Sequence, residues 1–564
     1  MSRIVTELCY QILNEYYGEL TATVGVFLIR NKATSCSIIV QRTGLESKQV
    51  KRALQSLIQQ NIVSFCQPKP GLIEYTAKSD AVLWRLRYPH YIHCAKMLYG
   101  DAAELLVEEL LLQGQSCLGP AVTKTTSKLN ESLLSSGSNL PSISQNLVKD
   151  KVTTLVKARL IRRCADIIYD KEGKNAVSSG EIGDPELLFN LPNAVDFEPA
   201  AGSKRPPSNL EQRAAKKLKL ETGDATETLM KDSETSKNVG PGYWCVNVYQ
   251  FHHHFRDQAI VAAVSRNIDQ KASEVIRTLL RISETRSQPL SPESSPVSLT
   301  EIYNAMPKDK VMPKSTLEQY LKYLSENCFN FVTKVGESGG GMFQIMLVSS
   351  LTSNFDYFKA IKAICVSQIE SIILERFGSK ALRMFRVLLT DKQVEQKQVE
   401  ERAMLPPKEA KELLYKMFAE NFITLTELSK TPDHAPTRTF YFFNVNLIQV
   451  SRMLLERCYQ LYFFYFHQAV GNVFIRRQKC ISENKRLLDK QDRVEAIIAS
   501  LDAEGALEQK EEVEQMVTPS EKAQLKKISD SARTLELSEI HLDQTIFVLE
   551  TYLNYTLQPS ITKK

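Results

Sequence analysis

Between Glu46 and Tyr75 the spacing of apolar side chains changes once, and that change limits what the chain can build. Val50, Ala53, Leu54, Leu57 and Ile58 fall at i, i+3, i+4, i+7 and i+8, which predicts one amphipathic helix over 46–60. After Asn61 the period drops to two through Ile62, Val63 and Phe65, turns at Pro68-Lys69-Pro70-Gly71, and resumes at Leu72, Ile73 and Tyr75. A helix with one apolar face, followed at once by a half-buried hairpin, is the second half of a winged helix. Ahead of it the pattern predicts a helix over 4–17, a short strand over 25–29 and a short helix over 37–42 closed by Thr43-Gly44.

The same order returns. Ser298 is placed to cap a helix over 299–306, Pro313 opens the next, and Leu317, Tyr320, Leu321 and Leu324 share its face. Strands over 329–335 and 342–348 flank a turn at 337–341. Another copy runs from 351, with a long helix to 376 and a helix over 380–389 beyond Phe377-Gly378-Ser379. A short helix over 397–404 follows, then Pro406-Pro407 and a helix that buries Ala410, Leu413, Leu414, Met417 and Phe418. Its wing strands are expected over 422–428 and 438–444, so the run Phe440-Tyr441-Phe442-Phe443 reads as strand packing. The faintest copy lies between 94 and 192, with helices over 95–113, 119–129 and 143–158 and wing strands over 160–164 and 187–191.

At 564 residues one hydrophobic core would be too large, and tandem small domains are the expected solution. The fold class is therefore mainly α with small β-wings. Winged helices are expected over 1–90, 91–192, 243–350 and 351–446, with a disordered basic linker over 193–242 and a helical coiled-coil hairpin over 447–564. In the tail Leu487, Val494 and Leu501 stand seven apart, as do Ile528, Leu535, Leu542 and Leu549. Ile546 and Leu553 widen the second stripe, and Gly505 and Thr518-Pro519-Ser520 interrupt the two runs, as an antiparallel hairpin requires.

The linker is rich in Pro, Ser, Lys, Glu and Thr and has no periodic apolar face. Within it Lys204-Arg205 stands ten residues ahead of Lys216-Lys217-Leu218-Lys219. Two basic clusters on an extended, reachable segment fit a bipartite nuclear-import signal carried by Lys204, Arg205, Lys216, Lys217 and Lys219. A solvated charge run is the plainer alternative.

A net charge of +6 is small for this length, so only local basic faces would contact nucleic acid. Two candidates are Lys48, Lys51 and Arg52 on the first recognition helix, and Lys408, Lys411 and Lys416 on the last. Both sets are spaced to reach phosphates, and both equally suit the polar face of a helix that binds protein. Eleven scattered cysteines without a CxxC fit free thiols in a reducing compartment. The start of the chain does not read as a signal peptide, and the apolar stretch 461–466 is too short to span a bilayer.

Catalytic chemistry is not expected. Adjacent helical residues point about 100° apart, so His252-His253-His254 cannot converge on one ion. The glycines at 339–341 precede a strand where a phosphate loop requires a helix, and no GxSxG is present. Acid pairs such as Glu108-Glu109 and Glu400-Glu401 read as solvated faces. The expectation is a chain with no catalytic residue, no cofactor and no metal.

Several longer strings resemble one family. They are Leu86-Arg87-Tyr88-Pro89, Val107-Glu108-Glu109-Leu110-Leu111-Leu112, Phe255-Arg256-Asp257-Gln258-Ala259-Ile260-Val261 and Glu395-Gln396-Lys397-Gln398-Val399-Glu400. Lys430-Thr431-Pro432-Asp433-His434-Ala435-Pro436 and Glu483-Asn484-Lys485-Arg486-Leu487-Leu488 belong to the same set. Together they resemble the largest subunit of the RNA polymerase III-specific initiation heterotrimer, a family related to the large subunit of transcription factor IIE. The resemblance spans nearly the whole chain. It departs in the linker, where only the polar, basic character is shared, and at the aromatic run Tyr462-Phe463-Phe464-Tyr465-Phe466 within 461–474. That run shifts the heptad register, marks a partner contact or reflects an altered transcript, and the three readings stay open.

The resemblance implies a non-catalytic nuclear subunit with four winged helices and a coiled-coil hairpin. Its implied partners are two smaller polymerase III-specific subunits, the polymerase core and clamp, a promoter-bound initiation factor, and single- or double-stranded DNA, but no membrane. The implied task is promoter recruitment, DNA opening and initiation on genes for transfer RNA, 5S ribosomal RNA and other small RNAs. A role in sensing cytosolic DNA is implied by the family as well. The competing expectation is a free, sequence-specific winged-helix transcription factor.

Overall fold

The computed structural model describes residues 2–31, 33–69, 72–135, 144–164, 167–169, 176–179, 187–197, 242–286, 297–307, 312–326, 333–335, 342–344, 356–391, 393–429, 439–467, 485–504 and 518–557. They form two units, residues 9–254 and residues 255–564 with 1–8. Helices dominate, with small antiparallel sheets, as the periodicities require.

The chain begins with α1 (Arg3–Tyr17), α2 (Glu19–Arg30), β1 (Thr34–Ser35), α3 (Cys36–Thr43), α4 (Ser47–Gln59) and the hairpin β2 (Val63–Lys69) and β3 (Leu72–Ala77). Residues 25–29, expected as a strand, lie inside α2. Their β-preference yields to packing: Val24, Val26 and Leu28 are buried, and Gly25 admits α1 so closely that a Cβ would stand 2.6 Å from Leu13 Cδ1. A reciprocal cap joins Glu46 and Gln49 at the start of α4. The buried side of α4 carries Val50, Ala53, Leu54 and Leu57.

The second copy continues through α5 (Ser79–Leu83), a 3-10 turn at Trp84–Arg87, α6 (Tyr88–Tyr99), α7 (Asp101–Gln113), α8 (Leu118–Ser135), α9 (Gln145–Lys157) and β4 (Ile161–Arg163). The helix expected over 95–113 breaks at Gly100, where φ is 88°. The next strands, β5 (Ile167–Tyr169) and β6 (Ala176–Ser179), extend the first copy's wing, giving the order β1-β3-β2-β6-β5. Residues 187–191 do not form the expected strand; Leu187–Phe189 is a 3-10 turn. The partner of β4 is instead β7 (Trp244–Val246), with Arg162 opposite Cys245. That place is filled firmly, because all three β7 residues are buried and Trp244 exchanges both backbone hydrogen bonds with Ser116 (2.8 and 3.0 Å).

These contacts fix both ends of the intervening segment at one point. The buried Asp196 carboxylate accepts the backbone N–H of Asn193 at 2.9 Å and of Gly242 at 3.0 Å. Asp196 and Gly242, which flank residues 198–241 closely in sequence, are thus held within hydrogen-bond distance of each other. The import-signal residues Lys204, Arg205, Lys216, Lys217 and Lys219 lie outside the described residues.

From there run α10 (Val248–Asn267), α11 (Gln270–Arg286), β8 (Val297–Ser298), α12 (Leu299–Ala305), α13 (Lys314–Glu326), β9 (Thr333–Val335) and β10 (Met342–Gln344). Ser298 caps α12 as expected, accepting Glu301 N–H at 3.3 Å while Glu301 accepts Ser298 N–H at 3.3 Å. The last winged copy comprises α14 (Asp356–Phe377), α15 (Ser379–Thr390), β11 (Val394–Glu395), α16 (Gln396–Ala403), α17 (Pro407–Ala419), β12 (Thr424–Ser429) and β13 (Thr439–Asn444). Its sheet order, β11-β13-β12, repeats the β1-β3-β2 core of the first copy.

One backbone device ends three recognition helices. Asn61 follows α4 at φ 58°, with its N–H on Ile58 O and Ile62 N–H on Leu57 O, both 3.0 Å. Arg159 follows α9 at φ 61° and Asn421 follows α17 at φ 64°, with the same paired bonds. This closure caps the last carbonyls and turns the chain out of the helix, so the hairpin begins at a fixed angle.

The tail holds α18 (Leu447–His467), α19 (Lys485–Glu504) and α20 (Pro519–Leu557). Lys490 Nζ, in the second turn of α19, meets Glu521 Oε2 in the first turn of α20 at 2.9 Å and links the two helices. Further on, Ile546, Leu549, Tyr552 and Leu553 are buried where α20 packs against α14 and α18. The aromatic segment lies only partly within view: Leu461 is half exposed on α18, and 468–474 lie outside the described residues.

One buried group makes the first unit sensitive to acid. His252 Nε2 and Tyr91 OH share a 2.7 Å hydrogen bond, and Trp84 meets the ring edge-on at 5.5 Å. Burial, then the charges of Arg87 and His253, pulls the His252 pKa down to about 3. Because the folded value lies below the unfolded ~6.5, unfolding takes up a proton, and stability falls as pH drops through that window. The expected loss is about 2 kcal/mol by pH 5. Urea midpoints at pH 7.5 and 5 measure it; His252→Gln should flatten the difference, and an unchanged pH slope in that variant would reject the assignment.

Candidate nucleic-acid interface

The strongest uncompensated charge on a recognition helix is on α4. Lys48, Lys51 and Arg52 are exposed and occupy i, i+3 and i+4, one surface strip opposite the buried face. The segment Ser47–Gln59 contains no acidic residue, and none of the three cations has an ion pair within the described residues. Glu46 cannot neutralise them freely, since its side chain caps the helix. Like charges at this spacing repel by a few tenths of a kcal/mol per pair in an isolated helix, a cost that an anionic partner would reverse.

The other candidate strip differs. Lys408, Lys411 and Lys416 are exposed on α17, but the helix also carries Glu409 and Glu412. Lys416 Nζ meets Glu412 Oε1 at 2.7 Å, and Lys380 holds Glu409 at 2.6 Å. The hydrogen bond from Lys416, then its charge, holds the Glu412 carboxyl below its ordinary range, with a smaller contribution from Lys408. Exposed Met404, Tyr415 and Phe418 accompany these charges on or beside α17. A zwitterionic, partly apolar strip is poorly matched to a phosphate backbone.

Between these extremes stand α9 and α13. Lys151 Nζ of α9 donates to Tyr99 O at 3.2 Å, and Lys149 lies 5.4 Å from the Phe197 ring centroid. On α13 Lys314 lies 5.1 Å from the Tyr303 ring centroid, and two glutamates offset its two lysines. The two sequence-predicted trios belong to different units. Residue spacing alone could not rank them, because pairing with acids on the same and neighbouring helices is what separates them.

Among the described residues no group of three His, Cys, Asp or Glu side chains is arranged to hold a metal. No helix of the described residues is long and apolar enough to cross a membrane.

Comparison with known proteins gives four family matches along the chain. Residues 7–68 match the RNA polymerase III subunit RPC82 helix-turn-helix domain, and residues 150–349 match RNA polymerase III subunit RPC82. Residues 369–445 match the POLR3C C-terminal winged-helix domain, and residues 486–548 the helical hairpin domain of DNA-directed RNA polymerase III subunit RPC3. DNA-directed RNA polymerase III subunit RPC3 of Homo sapiens is 39% identical over 565 residues, covering 99% of this chain and 100% of the relative. The chain belongs to the RNA polymerase III subunit RPC3 family.

RPC3 of Danio rerio is 37% identical over 561 residues, covering 97% of this chain and 98% of that protein. The RPC3 protein of Dictyostelium discoideum is 28% identical over 257 residues, covering 44% of this chain and 36% of its own length. Membership in the RPC3 family makes the chain a non-catalytic subunit of DNA-directed RNA polymerase III. The winged-helix and hairpin matches agree with the fold read from periodicity.

Proposed function

We propose that this RPC3-family chain joins two smaller polymerase III-specific subunits on the polymerase core, beside the clamp, and works in the nucleus. With a promoter-bound initiation factor it supports recruitment, DNA opening and initiation on transfer RNA, 5S ribosomal RNA and other small-RNA genes. Handling of cytosolic DNA by the same assembly belongs to this reading. The observation that carries the DNA component is the uncompensated strip Lys48, Lys51 and Arg52, which offers backbone contacts without a base-reading code. Lys408, Lys411 and Lys416 are the second, weaker contact set.

The import signal of Lys204, Arg205, Lys216, Lys217 and Lys219 fits this reading. A segment whose two ends are held together by Asp196 and Gly242 offers a receptor a landing site without pulling on the fold. Affinity purification of the tagged chain from nuclear extract at moderately high salt tests both parts. Two small polymerase III-specific subunits and the catalytic subunits should co-purify, and replacing the five basic residues by alanine should deplete the nuclear pool several-fold. A chain that elutes alone and selects one duplex sequence would be a free transcription factor instead. Unchanged nuclear recovery of the alanine variant would reject the import signal.

A further inference from the structure

At the neck of the segment 165–241 two thiols face each other across a strand pair. Arg162 of β4 stands directly opposite Cys245 of β7, and Cys164 N–H donates to Tyr243 O at 2.8 Å. Alternation therefore places Arg162, Cys164, Tyr243 and Cys245 on one side of the ladder, with Cys164 and Cys245 as diagonal neighbours. The Cys164 thiol hydrogen-bonds to the Cys245 sulfur, and the Arg162 guanidinium lies beside it. Arg162 Nε is buried with no hydrogen-bond partner.

The environment is unlike that of the other buried cysteines. Burial pushes Cys9 up to about 12 and Cys94, Cys365 and Cys458 up to about 11. Cys245 is equally hidden, yet the hydrogen bond from Cys164 draws it down to about 7, against the effect of burial and with help from Arg162. A thiol whose environment favours the thiolate in this way is the better nucleophile of the pair. Cys164 is only partly buried, which gives a small oxidant a way in.

We propose that Cys164 and Cys245 form a peroxide-oxidisable thiol pair whose disulfide fastens β4 to β7. The Cys245 thiolate attacks one oxygen of hydrogen peroxide, the O–O bond breaks, and the departing hydroxide takes a proton to become water. Cys245 is then a sulfenic acid. The Cys164 sulfur attacks that sulfur, the S–O bond breaks, and the hydroxide leaves with the Cys164 proton as a second water. The two thiols lose two electrons and peroxide gains them; a small dithiol reverses the change. Diagonal cross-strand positions stand about 7–8 Å apart, at or just past the ~7 Å Cα limit for a disulfide. Cys164 lies one residue beyond the end of β4, still tied to Tyr243 by its backbone N–H, so closing the bond takes a local backbone shift. The bond would hold β7 to β4.

The test uses the full chain, reduced, then exposed to equimolar hydrogen peroxide at pH 7, quenched by alkylation and digested without reductant. Mass spectrometry should find the Cys164 and Cys245 peptides joined, two hydrogens lighter than their sum, before the exposed Cys66 is oxidised. Dithiothreitol should separate them. In Cys164→Ser the second step is lost, so capture of Cys245 sulfenic acid by dimedone should rise at least several-fold over the parent. Hydrogen exchange across 161–164 and 243–247 in the unoxidised variant checks that the strand pair still forms. Oxidation of Cys66 first, no joined peptide, or equal dimedone capture in a folded variant would each overturn the proposal.

Discussion

Replacing Lys48, Lys51 and Arg52 together by glutamate is expected to weaken binding of a random-sequence duplex on the order of 150-fold or more at 0.1 M salt. The estimate rests on three charge-assisted contacts, each contributing about 1 kcal/mol or somewhat more against solvent competition. A second signature is independent of absolute affinity. If three phosphate contacts vanish, the slope of log K against log salt should flatten by roughly 2.7. Folding should be untouched, since all three side chains are exposed and the buried face of α4 is unchanged. The matched variant, Lys408, Lys411 and Lys416 to glutamate, should cost only a few-fold, because Glu412 and Glu409 already hold neighbouring cations. Fluorescence anisotropy titrations at several salt concentrations measure both quantities. Equal losses in the two variants, or an unchanged salt slope in the first, would remove α4 as the preferred contact.

Much of this architecture is legible in the sequence, and the two misread segments fail for different physical reasons. Recognition helices and hairpins were readable because each has one face on a core, so burial imposes a period of 3.6 or 2 on every side chain. Residues 25–29 misread because α2 is buried over most of its surface: Thr21, Ala22, Val24, Val26 and Leu28 all pack inward, and periodicity is lost. Residues 187–191 misread for a different reason. The strand that completes β4 comes from 244–246, across the long segment that starts and ends at Asp196 and Gly242. No local pattern encodes such a pairing. Asn61 is visible as a helix end, since asparagine tolerates the left-handed turn, whereas Arg159 in the same conformation carries no such signal. For the candidate site, the sequence supplied both lysine trios but not their ranking. That ranking depends on Lys380 reaching Glu409 from another helix and on Lys416 closing onto Glu412.

Gly114→Ala should be among the most damaging single-methyl changes available to the first unit. Gly114 ends α7 at φ 76° and ψ −92°, a conformation that lies outside the basins open to an L side chain. A Cβ there would also stand 2.4 Å from Gln59 O and 2.9 Å from Gln60 Cα, both backbone atoms that no rotamer change relieves. The same spot is a junction of hydrogen bonds between the first two winged copies. Gln115 N–H donates to Gln59 O at 2.9 Å, Gln60 Nε2 donates to Leu112 O at 2.9 Å, and Arg85 Nη2 donates to Gln60 Oε1 at 2.7 Å. Arg85 is itself buried and packed within 5.4 Å of the ring centroids of Tyr16, Tyr17 and Tyr88, so moving Gln60 exposes or strands a charge. Backbone strain of about 1–3 kcal/mol and displacement of these bonds together put the cost at roughly 3–5 kcal/mol. Gly44→Ala separates the two contributions. Gly44 has φ 70° with nothing within 4 Å of a built Cβ, so alanine there should cost only about 1 kcal/mol. Urea unfolding of both variants, read with hydrogen exchange over 59–62 and 112–116, gives the comparison. If Gly114→Ala loses no more than Gly44→Ala, the junction gives way more easily than its geometry indicates, and the first two winged copies are joined less rigidly than these hydrogen bonds imply.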